Sequence, residues 1–266
     1  MLNRTLYRRE MRGSVKLLII LAAVITMYVI IIISMYNPEM MAMLDRFAAV
    51  MPELMAAVGM SPGALSLLGF MVSYLYGFIL LIFPMLFCIL RGNGLIAKYI
   101  DKGSMVSLVA APVKRSTVAF TQMAVLVSGV VLLVIYSTAL EAVCAGLIFP
   151  GELDMAELLA LNGGLLCLQL FIGSICFLAS CLFSDTRYSV GFGAGIPVVM
   201  YVLQMLANVG GKAEKAKYFT FFTLFDPSGI LAKDSGAVMG IAVLLLGAIA
   251  MYLLAIVVFS RKDLHI

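Results

Sequence analysis

Residues 118–140 read VAFTQMAVLVSGVVLLVIYSTAL and contain no Asp, Glu, Lys, Arg or His. A hydrocarbon core about 30 Å thick is crossed by about 20 helical residues, so this stretch is long enough to span a membrane. Lipid offers the backbone no hydrogen-bond partners, and the run is too continuous for the alternating pattern of a barrel strand. We therefore predict a transmembrane helix here.

Five further stretches have the same apolar character, at residues 17–35, 65–90, 158–183, 190–209 and 237–259. Over the whole chain 64% of the residues are hydrophobic and 12% are charged, whereas soluble proteins are roughly 25% charged. The connections between six spans are too short to hold a soluble catalytic domain. We predict an all-α, polytopic membrane protein with six transmembrane helices, in which residues 1–266 form a single transmembrane domain.

The distribution of basic residues orients the spans, because Lys and Arg near span ends stay on the cytoplasmic side. With the N-terminus inside, thirteen of the 18 basic residues fall on cytoplasmic segments. We therefore predict that both termini are cytoplasmic and that the first span is retained rather than cleaved as a signal peptide. The thirteen residues are Arg4, Arg8, Arg9, Arg12, Lys16, Arg91, Lys98, Lys102, Lys114, Arg115, Arg187, Arg261 and Lys262.

Four lysines before the sixth span fit this orientation poorly, because they would lie outside. Their long side chains can reach the level of the lipid headgroups. Alternatively, they can attract an anionic substrate. The four residues are Lys212, Lys215, Lys217 and Lys233.

Several chemical motifs are missing from the sequence. It contains no Gly-x-x-x-x-Gly-Lys-Ser/Thr phosphate loop, and its single histidine is His265. The five cysteines form no Cys-x-x-Cys pair and are interpreted as free packing thiols. We predict that the chain is not an enzyme and has no cofactor or metal of its own. Lys16, Arg91 and Glu141 are placed at span ends, which argues against coupling to an ion gradient.

The outer connection before the second span, residues 37–63, is rich in methionine and other apolar residues. Pro52 divides it into two predicted short helices at the outer membrane interface. Such helices can simply cap the spans. Alternatively, the adaptable methionine side chains can offer a surface to hydrophobic cargo.

The cytoplasmic connection between the second and third spans is predicted to hold an amphipathic helix that ends at Pro112. Its polar face carries Lys98, Asp101, Lys102 and Ser104. The apolar face can rest on anionic headgroups, or the helix can offer a contact to a soluble partner. The apolar face consists of Leu95, Ile96, Tyr99, Ile100, Val106 and Val109.

The order of residues in this connection resembles the first cytoplasmic loop of the type-2 ATP-binding-cassette exporter permeases. The matching runs are Gly94-Leu95-Ile96-Ala97, Asp101-Lys102-Gly103-Ser104 and Leu108-Val109-Ala110-Ala111-Pro112-Val113-Lys114-Arg115. Further similarities are Met51-Pro52-Glu53-Leu54, Phe225-Asp226-Pro227 and the terminal Phe259-Ser260-Arg261-Lys262-Asp263-Leu264, so the resemblance follows almost the whole chain. The family has an acidic pair in this loop, of which only Asp101 is present here.

The resemblance implies two permease copies or paralogues beside two separate cytoplasmic ATPase subunits, which bind the ATP and Mg. The loop at residues 95–115 would be a coupling helix on the ATPase, and residues 184–189 would make a second contact. The segment up to about Arg12 would be a connecting helix. The residues implied to transmit the ATPase motion are Asp101, Gly103, Ser104, Pro112, Lys114, Arg115, Asp185 and Arg187.

We therefore expect a multi-pass permease subunit of an ABC transporter in a bacterial plasma membrane. Its expected cargo is hydrophobic or amphipathic, such as a drug, a peptide or a lipid-like molecule, and would be exported between the copies along spans two and five. The small residues from Gly191 to Gly195 could pack between the copies or within one copy. The alternative function is a non-transporting immunity or sensor protein that binds a peptide through the Met-rich outer helices. Nucleic acid is not an expected partner.

Overall fold

A computed structural model describes residues 2–37, 43, 46, 50–58, 66–105 and 113–262 of the protein. Every regular element in these residues is helical, and six helices are long and apolar enough to cross a membrane. The predicted all-α fold with six spans is therefore confirmed. The first and third to sixth spans are Arg4–Ser34, Arg115–Ile148, Met155–Leu182, Thr186–Val209 and Ser235–Arg261.

The second span is a composite helix. It runs through Leu67–Met71, a π-helical stretch Val72–Ile79, Leu80–Phe87 and a second π-helical stretch Cys88–Gly92. A turn at residues 93–96 ends the span and leads into the short helix Ala97–Asp101. The remaining short elements are Pro52–Ala57, Pro227–Leu231 and the 3-10 helices Gly211–Phe219 and Phe221–Leu224.

A buried glutamine compensates for the proline inside the second span. Pro84 has no N–H, so it leaves the carbonyl oxygen of Leu80 without its helical donor. Gln169 of the fourth span is fully buried and donates from Nε2 to Leu80 O at 3.3 Å and to Leu81 O at 2.9 Å. This contact explains why a polar residue lies in the middle of an apolar span, where an unpaired backbone carbonyl is costly.

Two boundaries differ from the predicted ones. The first helix is continuous from Arg4 to Ser34, so the segment up to Arg12 is its beginning and not a separate connecting helix. No proline interrupts it, and the Asn3 side chain caps it by accepting from Leu6 N at 3.1 Å. The helix of the third span continues to Ile148, so it does not end at Glu141.

The fourth span lies at the centre of the bundle, where it packs against the third, fifth and sixth spans. The first span packs mainly against the third. An even number of spans places both chain ends on one side of the bundle. We call this the termini side and the opposite one the distal side. The termini side is the one that the charge distribution predicts to be cytoplasmic.

Candidate functional site

The predicted coupling residues that the structure describes lie on the termini side, and most of them are exposed. Asp101 ends the short helix Ala97–Asp101, Gly103 and Ser104 follow it, and all three are exposed. Gly103 has φ of 67°, a left-handed conformation that favours glycine, and its N–H bonds to Ile100 O at 2.9 Å. Gly103 thus ends the helix and shapes the exposed turn.

The other predicted coupling residues have mixed roles. Lys114 is exposed, whereas Arg115 begins the third span and donates from Nη1 to Lys262 O at 3.0 Å. Asp185 caps the fifth span by accepting from Arg187 N at 2.7 Å, and the Arg187 side chain is exposed. Pro112, with Val106 and Val109, lies outside the described residues.

The apolar face of the first loop packs into the bundle. Leu95 and Ile96 are fully buried members of the core. Lys98, Asp101 and Lys102 remain exposed on the other side of the short helix. The described part of the loop therefore does not use this face to rest on headgroups, and its polar face is available to a partner.

Asn93 joins the two predicted coupling segments. Its backbone carbonyl accepts from Ser180 Oγ at 3.0 Å, and Ser180 Oγ in turn accepts from Ile96 N and Ala97 N at 3.1 and 2.9 Å. Ser189 Oγ of the fifth span donates to Asn93 Oδ1 at 3.4 Å. We call this set of residues, Asn93, Ser180 and Ser189, the loop junction. It connects the end of the second span to the fourth and fifth spans.

A buried ion pair ties the first span to the same region. Arg91 donates from Nη2 to Glu10 Oε2 at 2.7 Å and from Nε to Ser14 Oγ at 2.6 Å. The hydroxyl of Tyr99 donates to Glu10 Oε1. We call Glu10, Ser14, Arg91 and Tyr99 the termini-side clamp. The clamp thereby joins the first span to the end of the second span and to the short helix Ala97–Asp101.

The sequence analysis did not identify this clamp, although a signal was present. Glu10 is the one acidic residue among the basic residues that precede the apolar run at residues 17–35. Leu6, Glu10 and Ser14 are spaced by four and lie on one face of the helix, and all three are buried. An acidic residue on the same helix face as a buried apolar residue indicates a basic or hydrogen-bonding partner on another helix.

Lys262 connects the end of the sixth span to the end of the fourth span on the termini side. Its Nζ donates to the carbonyl oxygens of Cys181 and Leu182 at 3.1 and 2.9 Å. These carbonyls belong to the last turn of the fourth span, which has no helical donors for them. Burial lowers the pKa of the Lys262 ammonium from its ordinary value.

A cavity of about 510 Å³ opens on the distal side between the second and fifth spans. Its rim is polar: Thr223 Oγ1 donates to Gln204 Oε1 and Gln204 Nε2 donates to Asn208 Oδ1, both at 2.9 Å. Its floor is apolar, and short outer segments complete the wall. The apolar floor residues include Met55, Val72, Leu81, Tyr201, Met205 and Phe222.

Glu141 lies beside this cavity, inside the bundle. It is fully buried, and its Oε2 accepts from the hydroxyl of Tyr76 at 2.8 Å and from Asn162 Nδ2 at 3.0 Å. Tyr76 belongs to the π-helical stretch of the second span and also borders the cavity. π-Helical turns often occur at functional sites, because they redirect side chains that a regular helix would place elsewhere.

Comparison with protein-family models, curated proteins and solved structures gave no match to this chain. Among the described residues, no group of three His, Cys, Asp or Glu side chains could hold a metal ion. Function is therefore inferred from the geometry of the two sides of the bundle.

Proposed function

We propose that the chain is the membrane-spanning permease subunit of an ABC transporter that exports a hydrophobic or amphipathic substrate. ATP and Mg are bound by separate cytoplasmic ATPase subunits, which contact the loops on the termini side. Support for this proposal comes from the bundle of six spans and from exposed residues on the termini side, namely residues 101–104 and, around the start of the fifth span, Ser184, Arg187 and Tyr188. The resemblance described above gives these segments their expected partner.

The observation that carries the proposal is the loop junction. A force on either loop reaches Asn93, which is 1% exposed and bonded to both the fourth and fifth spans. Asn93 also follows directly on the second span. The second and fifth spans form the distal cavity. Movement of the loops is thereby transmitted to the two helices between which substrate would pass.

The fifth span also offers a surface to a second permease copy. Phe192 and Val199 are 54% and 55% exposed on its outer face. Added side-chain atoms at Gly191 and Gly195 would meet open space, whereas one at Gly193 would collide with the Asn93 side chain. Gly193 therefore packs within the copy. The spacing of Gly191 and Gly195 suits close helix packing between copies.

The proposal predicts that charge reversal on the two loops weakens ATPase association. We expect the double variant Lys114→Glu and Arg187→Glu to bind the ATPase about tenfold more weakly, because rim charges steer and orient partners. The measurement is co-purification with a co-expressed cassette ATPase, together with ATP hydrolysis by the complex.

The matched control is Lys215→Glu, which reverses a charge on the distal side. It should leave assembly and hydrolysis unchanged. If wild-type permease does not associate with the ATPase, the transporter function is wrong and the immunity or sensor function becomes the better reading. If the double variant assembles as well as the wild type, the two loops are not the contact surface.

A further inference from the structure

The charge in the distal cavity is of one sign, negative. Of the described residues that line it, Asp226 alone is charged. Its side chain is exposed, and its carboxylate forms no ion pair or hydrogen bond with the described residues. A carboxylate on the wall of a partly enclosed, low-dielectric cavity concentrates cations at that point.

The lysines of the distal side do not cancel this charge within the cavity. Lys217 is paired with Glu214 at 2.7 Å and lies over the ring of Tyr218, with Nζ 5.5 Å from the ring centroid. The pairing raises the pKa of Lys217 and lowers the pKa of Glu214. Lys217 is not among the residues that line the cavity. The alternative in which these lysines attract an anionic substrate gains no support from the cavity.

The distribution of polarity indicates the shape of the ligand. Asp226 lies with Asn208, Thr223 and other polar residues at the rim, and apolar side chains form the floor. Phe222 packs edge-on against Tyr201, with ring centroids 5.4 Å apart. A molecule that fits both zones has a charged end and an apolar body. The cavity volume, about 510 Å³, lies within the range of small-molecule sites.

We propose that the distal cavity binds an amphipathic organic cation. The cationic group lies against the Asp226 carboxylate, and the apolar body covers the floor that Met205, Phe222 and Tyr201 form. As cargo of an exporter this assignment rests on the proposed function, but the binding itself does not require an ATPase. The inference narrows the substrate class from hydrophobic or amphipathic molecules to those with a positive charge.

The test uses two probes of the same shape and opposite charge. Purified full-length permease in lipid nanodiscs is titrated with tetraphenylphosphonium, and bound probe is measured by equilibrium dialysis. We expect saturable binding of this cation, whereas tetraphenylborate, titrated separately under the same conditions, should show no saturable binding. Saturable binding of tetraphenylborate with comparable affinity, or the absence of saturable cation binding, overturns the inference.

Variants assign the binding to Asp226. Asp226→Asn should weaken the binding of tetraphenylphosphonium about tenfold, because a charge at contact distance is lost, whereas Asp226→Glu should stay within about threefold of wild type. Asp234→Asn removes an exposed carboxylate from the same side that does not line the cavity, and it should change nothing. Equal effects of the Asp226→Asn and Asp234→Asn variants would show non-specific attraction and refute the site.

The result is separable from the proposed function. Saturable cation binding without ATPase association would retain the site and reject the transporter. ATPase association without cation binding would retain the transporter and reject the site.

Discussion

Replacing Glu10 by Leu is expected to destabilise the protein by about 2–3 kcal/mol, because it leaves a largely buried guanidinium without its counter-charge. Arg91 and Glu10 keep 19% and 8% of their side-chain surface exposed, so solvent compensates little of the lost contact. Tyr99 loses its acceptor in the same variant. The measurement is the midpoint of thermal or chemical unfolding in detergent.

The reciprocal variant, Arg91→Leu, should cost a similar amount, since it leaves the Glu10 carboxylate unpaired. The double variant with Leu at both positions should recover most of the lost stability, because replacing both partners of a buried pair by apolar residues is often close to neutral. Additive effects of the two single variants would contradict the pairing. This double-mutant cycle separates the interaction energy of the pair from the effect of each substitution alone.

Replacing Glu141 by Leu should cost about 2–3 kcal/mol, whereas replacement by Gln should cost less than about 1 kcal/mol. Leu leaves the Tyr76 hydroxyl without its acceptor and removes one of the oxygens to which Asn162 Nδ2 donates, the others being the Tyr76 hydroxyl and Leu158 O. Gln keeps a carbonyl oxygen in the same place. An ionised carboxylate would be costly inside a membrane without a basic partner, and no Lys or Arg of the described residues pairs with Glu141.

Unfolding midpoints of the two variants, measured side by side, test this expectation. Glu152→Leu is the control, because Glu152 is exposed in the connection after the third span and its removal should change stability by less than about 0.5 kcal/mol. If Gln at position 141 destabilises as much as Leu does, the side chain is held as an ion by a partner and the argument from burial is wrong.

The six spans could be predicted from the sequence because their apolar runs are long and continuous. The ends of the helices were less predictable where a charged residue lies near the end of an apolar run. Glu141 was interpreted as a boundary, yet the helix continues to Ile148. Its partners, Tyr76 and Asn162, come from the second and fourth spans. Hydropathy along one segment does not contain that information.

In the candidate site, too, local features could be predicted from the sequence and contacts between distant residues could not. Residues 101–104 are exposed, as their polar character indicated, whereas at the start of the fifth span Arg187 is exposed and Asp185 is half-buried. The loop junction and the termini-side clamp depend on contacts between residues more than 75 positions apart, such as Arg91 with Ser14 and Ser180 with Asn93. Such pairs follow from the packing of the bundle. The hydrogen bonds from Gln169 to the carbonyl oxygens of Leu80 and Leu81 are likewise contacts between distant residues.

The two π-helical stretches of the second span limit how its length can vary. A π-helical turn holds more residues than an α-helical turn, and each residue advances an α-helix by about 100°. Loss of one residue between Tyr76 and Ile79 would rotate Arg91 about the helix axis by about that angle relative to Tyr76. Tyr76 contacts Glu141 at one end of the span, and Arg91 contacts Glu10 at the other. Point substitutions in this helix alter one contact at a time, whereas an insertion or deletion would uncouple its two ends.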